Sequence, residues 1–534
     1  MMYYSLFFEA RGIQSYIFES GKMKEMVGAS ELVKDLCDSK LNEIIKQLAL
    51  EEIKVENKDD AAKLSSLKSN QIFFSRRSGG VFTALFADKT ARDRFLALWS
   101  IFVTASVPGL ETVHAVSESE KLQELIKKTY DVLGYNRNCP PATLPEATPM
   151  HVIAPRTGKP AVKNLPGADG IRVWTDEASI KKIQVANSQS MHALTDAFLS
   201  PENKDFYFPK NLEFDDNGNC EFPFKKGSRY LGLIHADGNG LGQSLIKIRE
   251  SFTDGAEYAV MLRLFSDRLE KSTKEAAQKA TEKIIEKFGA ESKVLPLRPL
   301  VLGGDDLTVL VRADYAMQFT EDYCKAFEQT TEKNFADLNK ASDGKIPAKL
   351  TACAGIAYIK NNQPFMDAFN LAESLCSESK KVSKALGRET IPATVTSLVV
   401  TNSFIESYEA YKEKELTVMK NGKTLFATLD AYAFDENEKE IPTLHALRNL
   451  CKELKKDGVT DSTVRQYATM IFGDENISRE KWRRWIEILD KRNMLSTFAD
   501  CMKAFGVENI KEAPWNNDGK TPLFDALQLL SMEE

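Results

Sequence analysis

Residues Leu297–Val311 read LRPLVLGGDDLTVLV. Two apolar runs, Leu297–Leu302 and Leu307–Val311, flank Gly303-Gly304-Asp305-Asp306, so the stretch predicts a β-hairpin with buried arms and two carboxylates in its turn. Upstream, Tyr230–Ala236 reads as an apolar strand and runs into Asp237-Gly238-Asn239-Gly240-Leu241-Gly242, where a short helix, Leu241–Arg249, begins. A long amphipathic helix, Ala256–Phe288, leads to the hairpin, and a helix (Tyr315–Leu338), a strand (Leu350–Ile359) and a helix (Phe365–Leu386) follow it.

The same order of elements occurs earlier in the chain. Tyr3–Glu9 reads as a strand, Ile13–Phe18 and Ala29–Leu50 as helices, and Gln71–Ser75 with Val81–Ala87 as a hairpin around Arg76-Arg77-Ser78-Gly79-Gly80. A helix (Lys89–Phe102), a strand (Thr112–Val116) and a helix (Glu118–Leu133) complete it. The pattern predicts an α+β protein with two ferredoxin-like palm domains, each an antiparallel sheet backed by helices. The expected divisions are 1–135 for the first palm, 136–227 for a linker and small irregular or helical subdomain, 228–400 for the second palm and 401–534 for a helical C-terminal domain. Pro140, Pro141, Pro145, Pro149, Pro155, Pro160 and Pro166 mark the linker, and Asp176–Leu199 reads as helical.

At 534 residues the chain exceeds what one core supports, and 43% hydrophobic with 28% charged residues places it among ordinary globular proteins. Its start lacks the features of a signal peptide, and no run reaches the roughly 18–20 apolar residues that span a bilayer, so a cytoplasmic location without membrane contact is expected. Eight cysteines are scattered without CxxC pairs, which predicts reduced thiols and no structural zinc. A formal net charge of −6 argues against a nucleic-acid binder driven by overall charge and leaves a local basic groove open.

The chemistry-bearing residues converge on the second copy. Asp237 ends a strand where Gly238, Asn239 and Gly240 let main-chain amides approach a phosphate at a helix start. Asp305 and Asp306, in the turn with Gly303 and Gly304, would lie beside it on the adjacent strand. Three carboxylates are a donor set for two hard cations, Mg²⁺ or Mn²⁺, of the kind that serve phosphoryl transfer on a nucleoside triphosphate. Gly-Gly-Asp-Asp and Asp-Gly-Asn-Gly are also plain turn sequences. Lys380 could reach a triphosphate as a flexible point charge, Ser266 could touch a base or ribose, and Arg76 and Arg77 could neutralise phosphates beside the first Gly-Gly turn. Each also has a bland reading as a solvated or tolerated side chain.

At these residues the sequence resembles the large polymerase-cyclase subunit of type III CRISPR effector complexes, relatives of which share a palm with GGDEF-type nucleotide cyclases. The resemblance rests on GIQSYIF (Gly12–Phe18) with KMKEMVGASEL (Lys22–Leu32), RTGKPA (Arg156–Ala161), DGNGLG (Asp237–Gly242), Phe265-Ser266, the GGDD turn and the helix bearing Lys380. It implies synthesis of cyclic oligoadenylates from ATP with release of pyrophosphate, two palms facing each other, and Asp237, Asp305 and Asp306 as ligands of two Mg²⁺ or Mn²⁺ ions. In the first palm Gly79-Gly80 is followed by Val81-Phe82, so that copy is expected to hold a second nucleotide without metals. The chain starts at the palm, which implies a variant without the HD nuclease, and the family's zinc cysteines between the palms are absent. Implied partners are CRISPR RNA effector subunits and target RNA, with stand-alone or oligomeric action left open. A GTP-using cyclic dinucleotide synthase and a silent scaffold that binds nucleotide or RNA stay open as alternatives.

Overall fold

Strands β1 (Tyr3–Arg11), β2 (Glu51–Glu52), β3 (Gln71–Ser78), β4 (Val81–Phe86) and β5 (Glu111–Ser119) form one sheet in the order β2-β3-β4-β1-β5. All its pairings are antiparallel except the short β2–β3 pair. Aromatic residues spaced along β1 and β4 meet across the register: Phe8 pairs with Phe82 and stacks on it at 5.3 Å, and Trp99 of the helix Lys89–Ser106 meets both rings edge-on at 5.2 Å. Asp88 caps that helix by accepting from the Ala91 amide at 3.0 Å. The computed structural model describes residues 2–139, 148–166, 171–188, 193–212, 214–215, 218–401, 407–420, 422–456 and 475–533. The expected linker prolines Pro140, Pro141 and Pro145, and residues 402–406 at the start of the expected helical domain, lie outside the described residues.

The second helix begins at Met23, six residues before the predicted Ala29, and continues through a π-turn (Leu36–Lys40) into Leu41–Gln47. Gly28 inside it masked the helical pattern for a packing reason. A Cβ there would lie 1.8 Å from the Lys182 carbonyl on the helix Glu177–Asn187. The stretch expected to be irregular holds a hairpin, β6 (Ala161–Pro166) with β7 (Arg172–Asp176). Pro166 ends β6 and Pro160 stands just before it, positions where a missing amide costs a strand little. Asp176–Leu199, read as one helix, is two: Glu177–Asn187 and Ala193–Phe198.

The second sheet is built from β8 (Tyr230–Gly238), β9 (Leu297–Gly303), β10 (Asp306–Arg312), β11 (Ala352–Lys360) and β12 (Thr394–Val399). A hairpin of β13 (Thr417–Lys420) and β14 (Lys423–Phe426) follows, and β15 (Tyr432–Ala433) closes the sheet order as β15-β12-β11-β8-β10-β9. The region from 401 onward, expected to be helical, thus contributes three short strands between its helix Tyr408–Glu415 and its later helices Leu444–Leu454, Glu475–Lys491, Leu495–Lys503 and Leu523–Glu533. Lys423 and Lys420 at the hairpin ends hide the apolar alternation of so short a pair. By packing, the chain divides into Met1–Pro223 with Gly240–Thr308 and Ala326–Leu350, and Phe224–Asn239 with Val309–Lys325 and Thr351–Glu534. Among the described residues no helix is long and apolar enough to cross a membrane.

In the second unit β11 pairs antiparallel with β8 and parallel with β12, and the helix Phe365–Ala385 lies on β11. Gly355 makes that packing possible, since a Cβ on it would meet the Ala372 carbonyl at 2.1 Å and the Cys376 nitrogen at 2.4 Å. We expect Gly355→Ala to destabilise this unit by about 1–3 kcal/mol, read as a lower urea midpoint. Gly242→Ala, whose Cβ meets nothing within 4 Å, should leave the midpoint unchanged or raise it. Equal midpoints for the two variants would contradict the packing argument.

Candidate active site

Asp237 occupies the last turn of pleat in β8, opposite Cys353 of β11. The strand end is pinned just beyond it: the Asn239 amide donates to the Thr351 carbonyl at 2.8 Å, and the Asn239 side-chain Nδ2 donates to Thr351 Oγ1 at 3.0 Å and Cys353 Sγ at 3.2 Å. This corrects one expectation. The Asn239 main-chain amide, expected to approach a phosphate, is engaged by the Thr351 carbonyl, and its side chain is buried, so the residue fixes the loop. Gly240 adopts φ 74°, in the left-handed region, and from there the chain enters the helix Leu241–Ser251.

Lys380, carried by the helix that Gly355 admits, ion-pairs with Asp237 and donates to the Gly238 carbonyl at 3.0 Å. His235, two residues before Asp237, is buried and meets Phe369 edge-on at 5.5 Å. Burial, the largest cause, lowers its pKa to about 4, so the ring is neutral at ordinary pH and adds no charge beside the carboxylate. A polar cleft of about 430 Å³ opens here, lined by His235, Asp237, Glu373, Ser377 and Lys380 among others.

The second sheet's hairpin turn supplies the other carboxylates. Gly303 ends β9, Gly304 takes φ 63°, and Asp306 begins β10. The Thr273 hydroxyl, from the long helix Gly255–Phe288, donates to the Gly304 carbonyl at 2.7 Å and fixes the turn. Asp237, Asp305 and Asp306 each offer a carboxylate oxygen, and these oxygens lie within 4.8 Å of one another; all three residues are half-buried. An all-oxygen, partly solvated set of three formal negative charges with one ammonium beside it fits hard divalent cations. The two Gly-Gly turns also meet, because a Cβ on Gly303 would stand 3.1 Å from Gly79 Cα.

A larger cleft of about 800 Å³ has Gly304 and Asp305 in its wall. Leu245, Leu262 and Phe265 supply apolar surface, and Arg76, Arg249, Tyr130, Tyr258 and Ser266 supply polar groups. Ser266 lies 3.5 Å from Ser78 across it. Arg76 and Arg249 make no ion pair among the described residues. Burial is the largest cause of the raised pKa values of Tyr130 and Tyr258, the latter to about 12, so both hydroxyls stay protonated donors.

Arg77 does not line this cleft, contrary to expectation. Its guanidinium donates to the carbonyls of Cys37 (2.8 Å) and Asp38 (3.0 Å), to Asn42 Oδ1 (2.8 Å) and to Glu52 Oε2 (2.9 Å), and lies on the Phe74 ring at 5.4 Å. Successive strand residues point to opposite faces, so Arg76 and Arg77 cannot serve one ligand together. Sequence reasoning missed His235, Tyr130, Arg249 and Tyr258. The helix face containing Tyr130 and the sequence proximity of Arg249 to the DGNGLG loop were the only signals for them.

Residues 230–391 match the family model of the Cas10/Cmr2 second palm domain, so the chain carries a second palm of that kind. A solved structure of Csm1 in T. onnurineus is similar at 13% identity and TM-score 0.49, covering 99% of this chain and 69% of that one. A Csm1-Csm4 cassette in complex with cA4 is similar at 12% identity and TM-score 0.47, covering 99% and 70%. No curated protein matches the chain.

Two outcomes separate binding from support. Asp305→Asn with Asp306→Asn should remove tight Mn²⁺ binding, measured by the loss of the free-ion paramagnetic resonance signal on titration, while the thermal midpoint stays close to wild type. Arg77→Ala should instead lower stability by about 1–3 kcal/mol, because it removes four hydrogen bonds while Glu52 keeps its pairing with Arg263 at 3.7 Å, and leave Mn²⁺ binding intact. The reverse pattern would overturn both assignments.

Proposed function

We propose that the chain is a metal-dependent nucleotidyltransferase that joins and cyclises ATP into cyclic oligoadenylate-type messengers, as part of Cas10-type antiviral defence with effector subunits and RNA as partners. One observation carries the reading: three carboxylates converge where a Cas10/Cmr2-type second palm has its hairpin turn and strand end. Asp237, Asp305 and Asp306 would hold two Mg²⁺ or Mn²⁺ ions, which when bound would activate a 3′-hydroxyl and stabilise the leaving pyrophosphate. The protein's own groups position the reactants. Lys380 offsets carboxylate charge and stands within reach of a triphosphate, and Gly240, where an added Cβ would meet nothing within 4 Å, leaves room for phosphate oxygens at the helix start.

The large cleft supports an acceptor role. Leu245, Leu262 and Phe265 present a base-sized apolar wall, Ser266 faces the ribose or base, and Arg76 and Arg249, which make no ion pair among the described residues, would neutralise the acceptor's phosphates. In-line attack requires two nucleotides held at once, which explains a cleft larger than one donor needs.

Incubating the purified protein with each NTP and Mg²⁺ or Mn²⁺, followed by mass spectrometry, tests this. Cyclic products from ATP alone, reduced at least about a hundredfold by Asp305→Ala with Asp306→Ala, are expected. Arg76→Ala with Arg249→Ala should raise the ATP concentration for half-maximal rate by about tenfold or more without lowering the thermal midpoint. No product from any NTP would return the chain to a scaffold, and product from GTP alone would replace the adenine reading.

A further inference from the structure

The helix Glu475–Lys491 carries a surface that the nucleotide chemistry does not use. One face is fixed to the C-terminal bundle. Trp482 and Trp485 are buried, their rings 5.0 Å apart; Trp482 Nε1 donates to the Ile510 carbonyl at 2.8 Å, and Trp485 meets Phe498 at 5.0 Å. The helix is therefore held in a single orientation about its own axis.

The opposite face is basic. Ile477, Lys481, Arg484, Ile488 and Lys491 follow at helical spacings of four, three, four and three, and Arg492 continues the ladder through its amide bond to the Ile488 carbonyl at 3.2 Å. Lys481, Arg484, Lys491 and Arg492 are all exposed, and none makes an ion pair among the described residues. The sequence offers partners that the structure does not use. Glu480 precedes Arg484 by four residues and Glu487 precedes Lys491 by four, the spacing that closes helix ion pairs, yet neither pair forms. Exposed Glu480 and Glu487 border the stripe without pairing to it, so the four cations leave it net positive by two charges in a chain of net charge −6.

We infer that this stripe binds the phosphodiester backbone of a nucleic acid, with Lys481, Arg484, Lys491 and Arg492 on successive phosphates. Lysine and arginine in a row along about 16 Å of helix match a linear polyanion rather than a single small anion. The inference is independent of the palm reading, since it uses no residue of either cleft.

The test is fluorescence anisotropy of a labelled 20-nucleotide single strand and of a labelled 20-base-pair duplex, each titrated with the full chain at 50–200 mM KCl. The comparison variant is Lys481→Gln, Arg484→Gln, Lys491→Gln, Arg492→Gln, whose exposed positions should leave thermal unfolding unchanged. Each neutralised phosphate contributes about 0.7 to the salt slope on a single strand, so the wild type should lose about 50-fold more affinity than the variant over that range. A loss of affinity and slope on either probe supports backbone recognition, and the stronger arm identifies the strand form. Equal affinity and equal slope for wild type and variant, or binding by the stripe to vesicles containing anionic lipid and to neither oligonucleotide, would overturn it.

Discussion

Three carboxylates brought within 4.8 Å of one another repel, by about 3.5 kcal/mol for each ionised pair at an effective dielectric near 20. The chain cannot place them there without support of other kinds. Lys380 offsets one charge directly. Geometry does the rest: Asp237 lies near the end of β8, Asp306 begins β10 and Asp305 stands in the turn before it, so each carboxylate is carried by or next to a strand. The Asn239 contacts with Thr351 and Cys353, and the Thr273 bond to Gly304, hold the two contributing loops against that force.

The same support explains several residues that have no chemistry. Gly355 is small so that the helix carrying Lys380 can lie against β11. His235 is kept neutral by burial, which avoids a proton-dependent charge next to Asp237. Thr351 does double service, its carbonyl and hydroxyl both engaging Asn239.

Much of this was legible in the sequence because the informative residues are extremes of local preference. Gly-Gly-Asp-Asp between two apolar runs allows few structures other than a hairpin, and the repeated order of elements gave the second sheet away. Asp237, Asp305 and Asp306 were readable as a group for that reason. What escaped has physical causes. Gly28 broke a helical pattern because its value lies in contact with Lys182, far along the chain. β13 and β14 are too short for alternation to register, and β6 and β7 lie in or beside a proline-rich stretch that reads as a linker. Arg76 and Arg77 looked equivalent as neighbours, whereas the pleat sends one into the cleft and the other into a set of four hydrogen bonds to Cys37, Asp38, Asn42 and Glu52. Arg249, Tyr130 and Tyr258 meet only once distant helices pack, which no local signal encodes.

The meeting of Gly79 with Gly303 gives the two turns a shared steric history. The first turn has no carboxylates, yet Gly79 and Gly80 hold φ values of 61° and 77°, and a Cβ on Gly80 would press on Ile13 at 3.0 Å. Glycine serves shape there rather than chemistry. A side chain at 303 would press on Gly79 at 3.1 Å, whereas one at 79 would meet Gly303 only at 3.8 Å, so the tighter limit falls on the second turn. Val81 and Phe82, by contrast, lie in the first sheet's core, and restoring acids at those positions would damage packing before it created a second metal site. The asymmetry between the two copies is thus locked in by the aromatic core of one and by the glycine contact they share.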